Sequence, residues 1–139
     1  MLALHRDPPG CVIVAGMHRS GTSLAAGLLA RLGVDMGADL VPADRANPRG
    51  YLDDRDVVRF HERALAARLP DLHSGHVDWG WAPAKTVTPR DLDRWESDAR
   101  TIVALRVSTG RRWGFKAPRT TVTLDFRHPL LPASVHLGI

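Results

Sequence analysis

The sequence predicts an α/β domain in three layers, a parallel sheet with helices on both of its faces. Short apolar runs rich in β-branched residues alternate with segments of helical period. A glycine-punctuated loop joins the first of these runs directly to a helix. A length of 139 residues is typical of one hydrophobic core, so a single domain over 1–139 is expected.

Cys11-Val12-Ile13-Val14-Ala15 reads as a strand buried on both faces, as in a sheet covered by helices. It runs into Gly16-Met17-His18-Arg19-Ser20-Gly21-Thr22-Ser23. Leu24, Ala25, Leu28, Leu29 and Leu32 then recur at helical spacing until Gly33, a residue suited to the position past a helix end. The segment from Val34 to Gly50 is rich in Gly, Asp, Pro and Asn without a period, and is expected to be a surface loop. Val57, Val58, Phe60, Leu65 and Leu69 give the stretch Asp53 to Leu69 an apolar stripe, with acids at its start and Pro70 at its end.

Asp71 to Thr86 reads as a second loop, with Gly75, Gly80, Pro83, Trp79 and Trp81. Thr88-Pro89-Arg90-Asp91 combines a capping hydroxyl, proline at the first helical position and an acid three residues after the cap. The helix it opens places Leu92, Trp95, Ala99, Ile102 and Val103 inward and stops before Gly110. Trp113 to Phe115 is a second predicted strand, Thr120 to Phe126 a short helical stretch, and Ser134 to Ile139 a third strand.

Composition narrows the class. An apolar fraction of 44% with 24% charged residues excludes a disordered or collagen-like chain. No apolar run approaches the roughly eighteen residues of a membrane span, and Met1 to Gly10 carries His5, Arg6, Asp7 and a Pro-Pro pair where a signal core would lie, so a cytoplasmic protein is expected. Cys11 is the only cysteine, which excludes an internal disulfide and a multi-thiolate metal site. The net charge of +4 is scattered and too mild to argue for nucleic acid, and it leaves anionic small molecules open as partners; no nucleic acid is expected. Of the 19 basic residues all are arginine except Lys85 and Lys116.

Gly16-x-x-x-x-Gly21-Thr22-Ser23 has the spacing of a loop whose backbone N–H groups converge with a helix N-terminus on an anion. Thr22 stands where a nucleoside triphosphatase places lysine, so the cation that reaches the outer phosphates is missing from that position. Arg19, inside the loop, supplies a forked donor matched to tetrahedral anions, and Ser20, Thr22 and Ser23 add hydroxyls. A plain glycine turn entering a helix is the competing reading. His73-x-x-His76, with Asp71 and Asp78 nearby, has no recognisable metal-site signature and reads as a solvated loop; no metal is expected.

Arg19-Ser20-Gly21-Thr22-Ser23 resembles the 5′-phosphosulfate loop of sulfotransferases that use 3′-phosphoadenylyl sulfate (PAPS). Three more segments, in the same order, are similar to bacterial members of that family: Asn47-Pro48-Arg49-Gly50-Tyr51 followed by an acidic pair, Trp113-Gly114-Phe115-Lys116-Ala117-Pro118-Arg119-Thr120, and Asp125-Phe126-Arg127-His128-Pro129-Leu130-Leu131-Pro132. The resemblance spans about Val12 to Pro132. It implies a P-loop NTPase-like fold, PAPS as sulfate donor without a metal, and a hydroxyl or amine acceptor, either a small molecule or a glycan. It further implies that Gly16, Arg19, Ser20, Gly21, Thr22 and Ser23 bind the nucleotide, that Lys116 reaches the phosphosulfate, and that Asp53 is the base. Asp53 replaces the family's glutamate, is one methylene shorter and is equally readable as a helix-start acid, and for Asp54 the helix-start reading is the better one. Ala117 replaces the aspartate of the usual Lys-Asp-Pro-Arg. The family's arginine and serine pair for the 3′-phosphate has no counterpart here, so a C-terminally incomplete domain with an exposed sheet edge and a tendency to self-associate is expected. A P-loop kinase or NTPase-like enzyme and a non-catalytic anion-binding remnant stay open as alternatives.

Overall fold

The apolar run Cys11–Ala15 forms strand β1, the central strand of a three-stranded sheet. The computed structural model of the chain describes residues 10–17, 19–66, 93–122, 130–131 and 134–139. Strand β2, Trp113–Lys116, and strand β3, Ser134–Gly138, flank β1 in the order β2-β1-β3, and both pair with it in parallel. Cys11 stands opposite Trp113 and Ser134, and Val14 opposite Lys116. The α/β class and the parallel sheet are thus as the sequence predicts. Gly16 and Ala117, which follow β1 and β2, come to the same end of the sheet, where open parallel sheets place their ligands.

Alternation along β1 divides the core. Val12 packs with Ala26, Leu29, Val34 and Met36, whereas Cys11 and Ile13 pack with Val57, Trp113 and Phe115, joined by Ile102 and Val103. The first group belongs to helix α1, Thr22–Arg31, and the turn after it; the second draws on helix α2, Arg55–Ala66, and helix α3, Glu96–Val107. Gly114 holds β2 close to β1: a Cβ there would lie 2.5 Å from the Val12 carbonyl oxygen. Trp113 and Phe115 stack with ring centroids 6.1 Å apart, which fills the layer under α2 and α3.

Boundaries depart from the sequence reading where local propensity gives way to packing. Helix α3 begins at Glu96 behind a 3-10 turn, Asp93–Trp95; the start signal at Thr88 lies outside the described residues, as do Trp79, Trp81, His73, His76 and Lys85. The short helical stretch begins at Pro118 rather than Thr120 and is 3-10, Pro118–Val122. In α1 it is Thr22 and Ala26 that are buried, while Leu24, Leu28 and Leu32 are exposed. Val135 and Leu137 of β3, at one edge of the described sheet, are exposed as well. No helix among the described residues is long and apolar enough to cross a membrane.

Candidate functional site

The loop after β1 is built by glycine and by strain. Gly16 is buried, and a Cβ there would meet the Ile139 carbonyl oxygen at 2.5 Å and the Thr22 methyl at 2.9 Å. Arg19 has φ 66° and Gly21 φ 102°, both left-handed. For arginine that conformation costs free energy, and such residues concentrate at functional sites. Ser20 turns back, its hydroxyl donating to the Met17 carbonyl at 2.7 Å. Helix α1 starts at Thr22 with no side-chain cap and no acid in its first turn, so its N–H groups and the positive end of its dipole are directed outward from the loop.

A cavity of about 620 Å³ opens at this helix end. Arg19, Gly21, Thr22 and Ser23 line one side, and Asp53 and Lys116 line it from α2's approach and the end of β2. Six residues singled out in the sequence therefore share one cavity, while Gly16 and Ser20 shape the loop without lining it. Pockets of this size suit a small organic ligand.

Lys116 is the last residue of β2 and is 2% exposed. Its Nζ donates to Asp53 Oδ2 at 2.8 Å, a buried ion pair. Asp53 Oδ1 is buried with no hydrogen-bond partner among the described residues. Burial pushes the Asp53 carboxyl above its ordinary value, opposed first by the charge and hydrogen bond of Lys116 and then by Arg119. A carboxylate of raised affinity for a proton, with one oxygen free, is chemically a base.

Asp54, its neighbour, is spent structurally. Its Oδ1 accepts the Asp56 and Val57 N–H groups at 2.9 and 3.4 Å, capping α2, and its Oδ2 pairs with Arg106 of α3. The two adjacent acids thus take different parts, and Val41 N–H to the Asp53 carbonyl at 2.8 Å helps fix the chain between them.

A clasp that the sequence reading did not identify closes the cavity from the 34–50 loop. Asp44 Oδ1 accepts the N–H groups of Ala46 and Asn47 at 2.8 and 2.9 Å, and the Tyr51 hydroxyl donates to the same carboxylate at 2.8 Å. These bonds hold Asp44 below the usual carboxylate range and raise Tyr51. Asn47 Nδ2 donates to Ser23 Oγ, Ser23 Oγ donates to the Tyr51 carbonyl, and Arg19 Nη1 donates to the Ala46 carbonyl, each at 3.4 Å. Ser23 therefore ties the loop to α1 as well as lining the cavity. The signal in the sequence was Asp44 itself, in a loop-forming segment, since an aspartate there accepts the backbone N–H two residues on as an Asx turn.

At the far side Arg119, 8% exposed, lies 3.6 Å from Glu62 Oε1, and Val41 and Val58 provide apolar wall. Glu62 was also missed; Val58 and Glu62, four apart on α2, present one helix face to the cavity. His18 lies outside the described residues, and no group of three potential metal ligands occurs among those described. Comparison with family models, curated proteins and solved structures returns no match for this chain.

Proposed function

We propose that the chain has the chemistry of a sulfotransferase, moving a sulfuryl group from PAPS to a hydroxyl or amine on a P-loop-like fold. The observation that carries the reading is the Lys116–Asp53 pair, 2.8 Å apart and buried, sharing a cavity with the uncapped end of α1 and Arg19. The orphaned Asp53 Oδ1 and a lysine with two further N–H groups fit a donor whose transfer needs a base on one side and a cation on the other. The α1 N–H groups and Arg19 hold the 5′-phosphosulfate. Asp53 Oδ1 takes the acceptor proton as the acceptor oxygen or nitrogen bonds to sulfur. Lys116 stabilises the electron pair that passes to the phosphate oxygen when the sulfur–oxygen bond breaks. The products are the sulfated acceptor and adenosine 3′,5′-bisphosphate. Ala117, 2% exposed, offers Lys116 no polar side chain, and among the described residues Asp53 is the side chain that accepts from its Nζ.

Calorimetric titration with adenosine 3′,5′-bisphosphate and with ATP tests nucleotide choice; tighter binding of ATP overturns the assignment. Arg19→Ala should weaken bisphosphate binding about a hundredfold, the loss of a charge-assisted contact. Asp53→Asn should leave that affinity within about twofold and lower transfer of labelled sulfate by roughly 10²–10⁴. Equal loss of binding and turnover in Asp53→Asn would remove the base from the scheme.

A further inference from the structure

Residues 42–52 make a strap along the cavity, which Ala46, Asn47 and Tyr51 line. Short bonds brace it from within: Asp44 accepts the Ala46 and Asn47 N–H groups at 2.8 and 2.9 Å and the Tyr51 hydroxyl at 2.8 Å, and Gly50 N–H reaches the Asn47 carbonyl at 3.0 Å. Its base is tied by Val41 N–H to the Asp53 carbonyl at 2.8 Å and by the Leu40–Asp54 bridge. Gly50 and Leu52, at φ 83° and 55°, are left-handed on either side of Tyr51, and Leu52 is anchored against Ala26, Val34 and Met36. On its other side the hold is weak. Among the described residues, three hydrogen bonds of 3.4 Å each join the strap to the anion loop and α1: Arg19 to the Ala46 carbonyl, Asn47 to Ser23 Oγ, and Ser23 Oγ to the Tyr51 carbonyl. Little apolar packing adds to them, since all of residues 42–49 but Asn47 are exposed.

Both side chains that hold the strap, Arg19 and Ser23, belong to the anion loop. A hydroxyl has one proton, and Ser23 gives its own to the Tyr51 carbonyl; to donate to an anion at the start of α1 it must let that carbonyl go. A guanidinium that can fork onto a phosphate or sulfate has a stronger partner there than in one carbonyl at 3.4 Å. Strap and anion therefore compete for the same donors. We infer that the empty anion loop latches the strap across the cavity and that an anion bound by Arg19 and Ser23 releases it, so that donor binding opens the acceptor's path to Asp53. That the anion is a sulfuryl donor rests on the reading above; the competition for Arg19 and Ser23 does not. A ligand that only adds contacts makes a chain harder to cut, whereas this one makes a single segment easier to cut.

Arg45 and Arg49, both exposed in the strap, are its reporters, because trypsin cleaves after arginine at a rate that follows the population of the open form. The full chain is digested briefly alone and with adenosine 3′,5′-bisphosphate, inorganic sulfate or pyrophosphate, ionic strength being matched with chloride. Cuts are mapped by mass spectrometry, and nucleotide binding is measured by calorimetry on the same sample. The bisphosphate should speed the cuts after Arg45 and Arg49 about tenfold, while the cut after Arg100 in α3 slows or stays as it is. Ser23→Ala should be cut in the strap at the fast rate without any anion and respond to one by less than about twofold. Unchanged or slower strap cutting with nucleotide bound overturns the latch and leaves the sulfotransferase reading standing. Faster cutting at Arg100 as well means general loosening and overturns the latch too, as does a Ser23→Ala strap cut as slowly as the parent's. If the bisphosphate fails to bind but sulfate or pyrophosphate speeds the two cuts, the sulfotransferase reading falls and the latch stands. No response to any of the three anions overturns the latch.

Discussion

Lys116→Met is expected to lower the stability of the folded chain by about 3–5 kcal/mol at neutral pH, because it leaves the Asp53 carboxylate buried without its ion-pair partner. Acidification should return much of that loss. The Asp53 carboxyl has an ordinary value of 3.8, and burial already raises it in the folded chain; Lys116 supplies the two largest influences in the other direction. Removing them raises it further. Between the unfolded and folded values the folded chain holds a proton that the unfolded chain has released. The contribution of this carboxyl to stability is therefore greatest below 3.8 and is lost as pH rises through the folded value. Urea midpoints at neutral pH and near pH 4 test this, and a deficit that ignores pH would show that Lys116 matters for packing alone.

The double variant Lys116→Met/Asp53→Leu separates the two explanations further. Replacing both partners of a buried ion pair with apolar groups is often neutral or stabilising, so the double variant should recover to within about 1 kcal/mol of the parent, without regaining the transfer proposed above. A pair that costs stability and contributes little to it is expected where charge serves chemistry. If the double variant is as unstable as Lys116→Met, the pair is a structural tie, and the case for catalysis at this cavity loses its centre.

The parts of this arrangement that were legible in the sequence are those fixed by short-range chemistry. Cys11–Ala15 is a strand because β-branched apolar residues occupy both faces, and the Gly16 and Gly21 spacing specifies the turn into α1 because one glycine is packed too tightly for a Cβ and the other is left-handed. The different fates of Asp53 and Asp54 were not legible. Both satisfy the rule that acids favour a helix start, and only the arrival of Lys116 from one side and Arg106 from the other divides them. Likewise the exposed leucines of α1 follow helical spacing as well as the buried Ala26 does, and the sheet decides which face turns inward. The parts played by Asp44 and Glu62 escaped for a related reason: Asp44 meets Tyr51 only through the turn at Asn47, and Glu62 meets Arg119 only past the end of β2.

Asp54→Ala should destabilise the chain by about 3–5 kcal/mol, well beyond the loss in Asp53→Asn. Asp54 is 1% exposed, and three elements depend on its carboxylate. It caps α2 through the Asp56 and Val57 N–H groups, and it anchors α3 through Arg106, which is itself only 15% exposed. It also packs against Gly37, where φ is +116° and an added Cβ would fall 2.1 Å from Asp54 Oδ2. The antiparallel bridge between Leu40 and Asp54, with Arg55 N–H to the Asp39 carbonyl at 2.9 Å, ties the loop to the start of α2 at the same point. Loss of the carboxylate takes from the half-buried Arg106 the more buried of its two acids, leaving only Asp56 at 3.4 Å, and uncaps N–H groups at the same time, which is why the effect should exceed the roughly 1 kcal/mol of an ordinary cap. Arg106→Leu should cost less than Asp54→Ala, since capping survives it, and Asp54→Ala/Arg106→Leu should be more stable than Asp54→Ala alone. Urea denaturation of the three variants decides the matter: a double variant less stable than Asp54→Ala would mean that the guanidinium still stabilises the chain through Asp56, 3.4 Å away on α2, and that α3 is held to α2 by that contact rather than by Asp54.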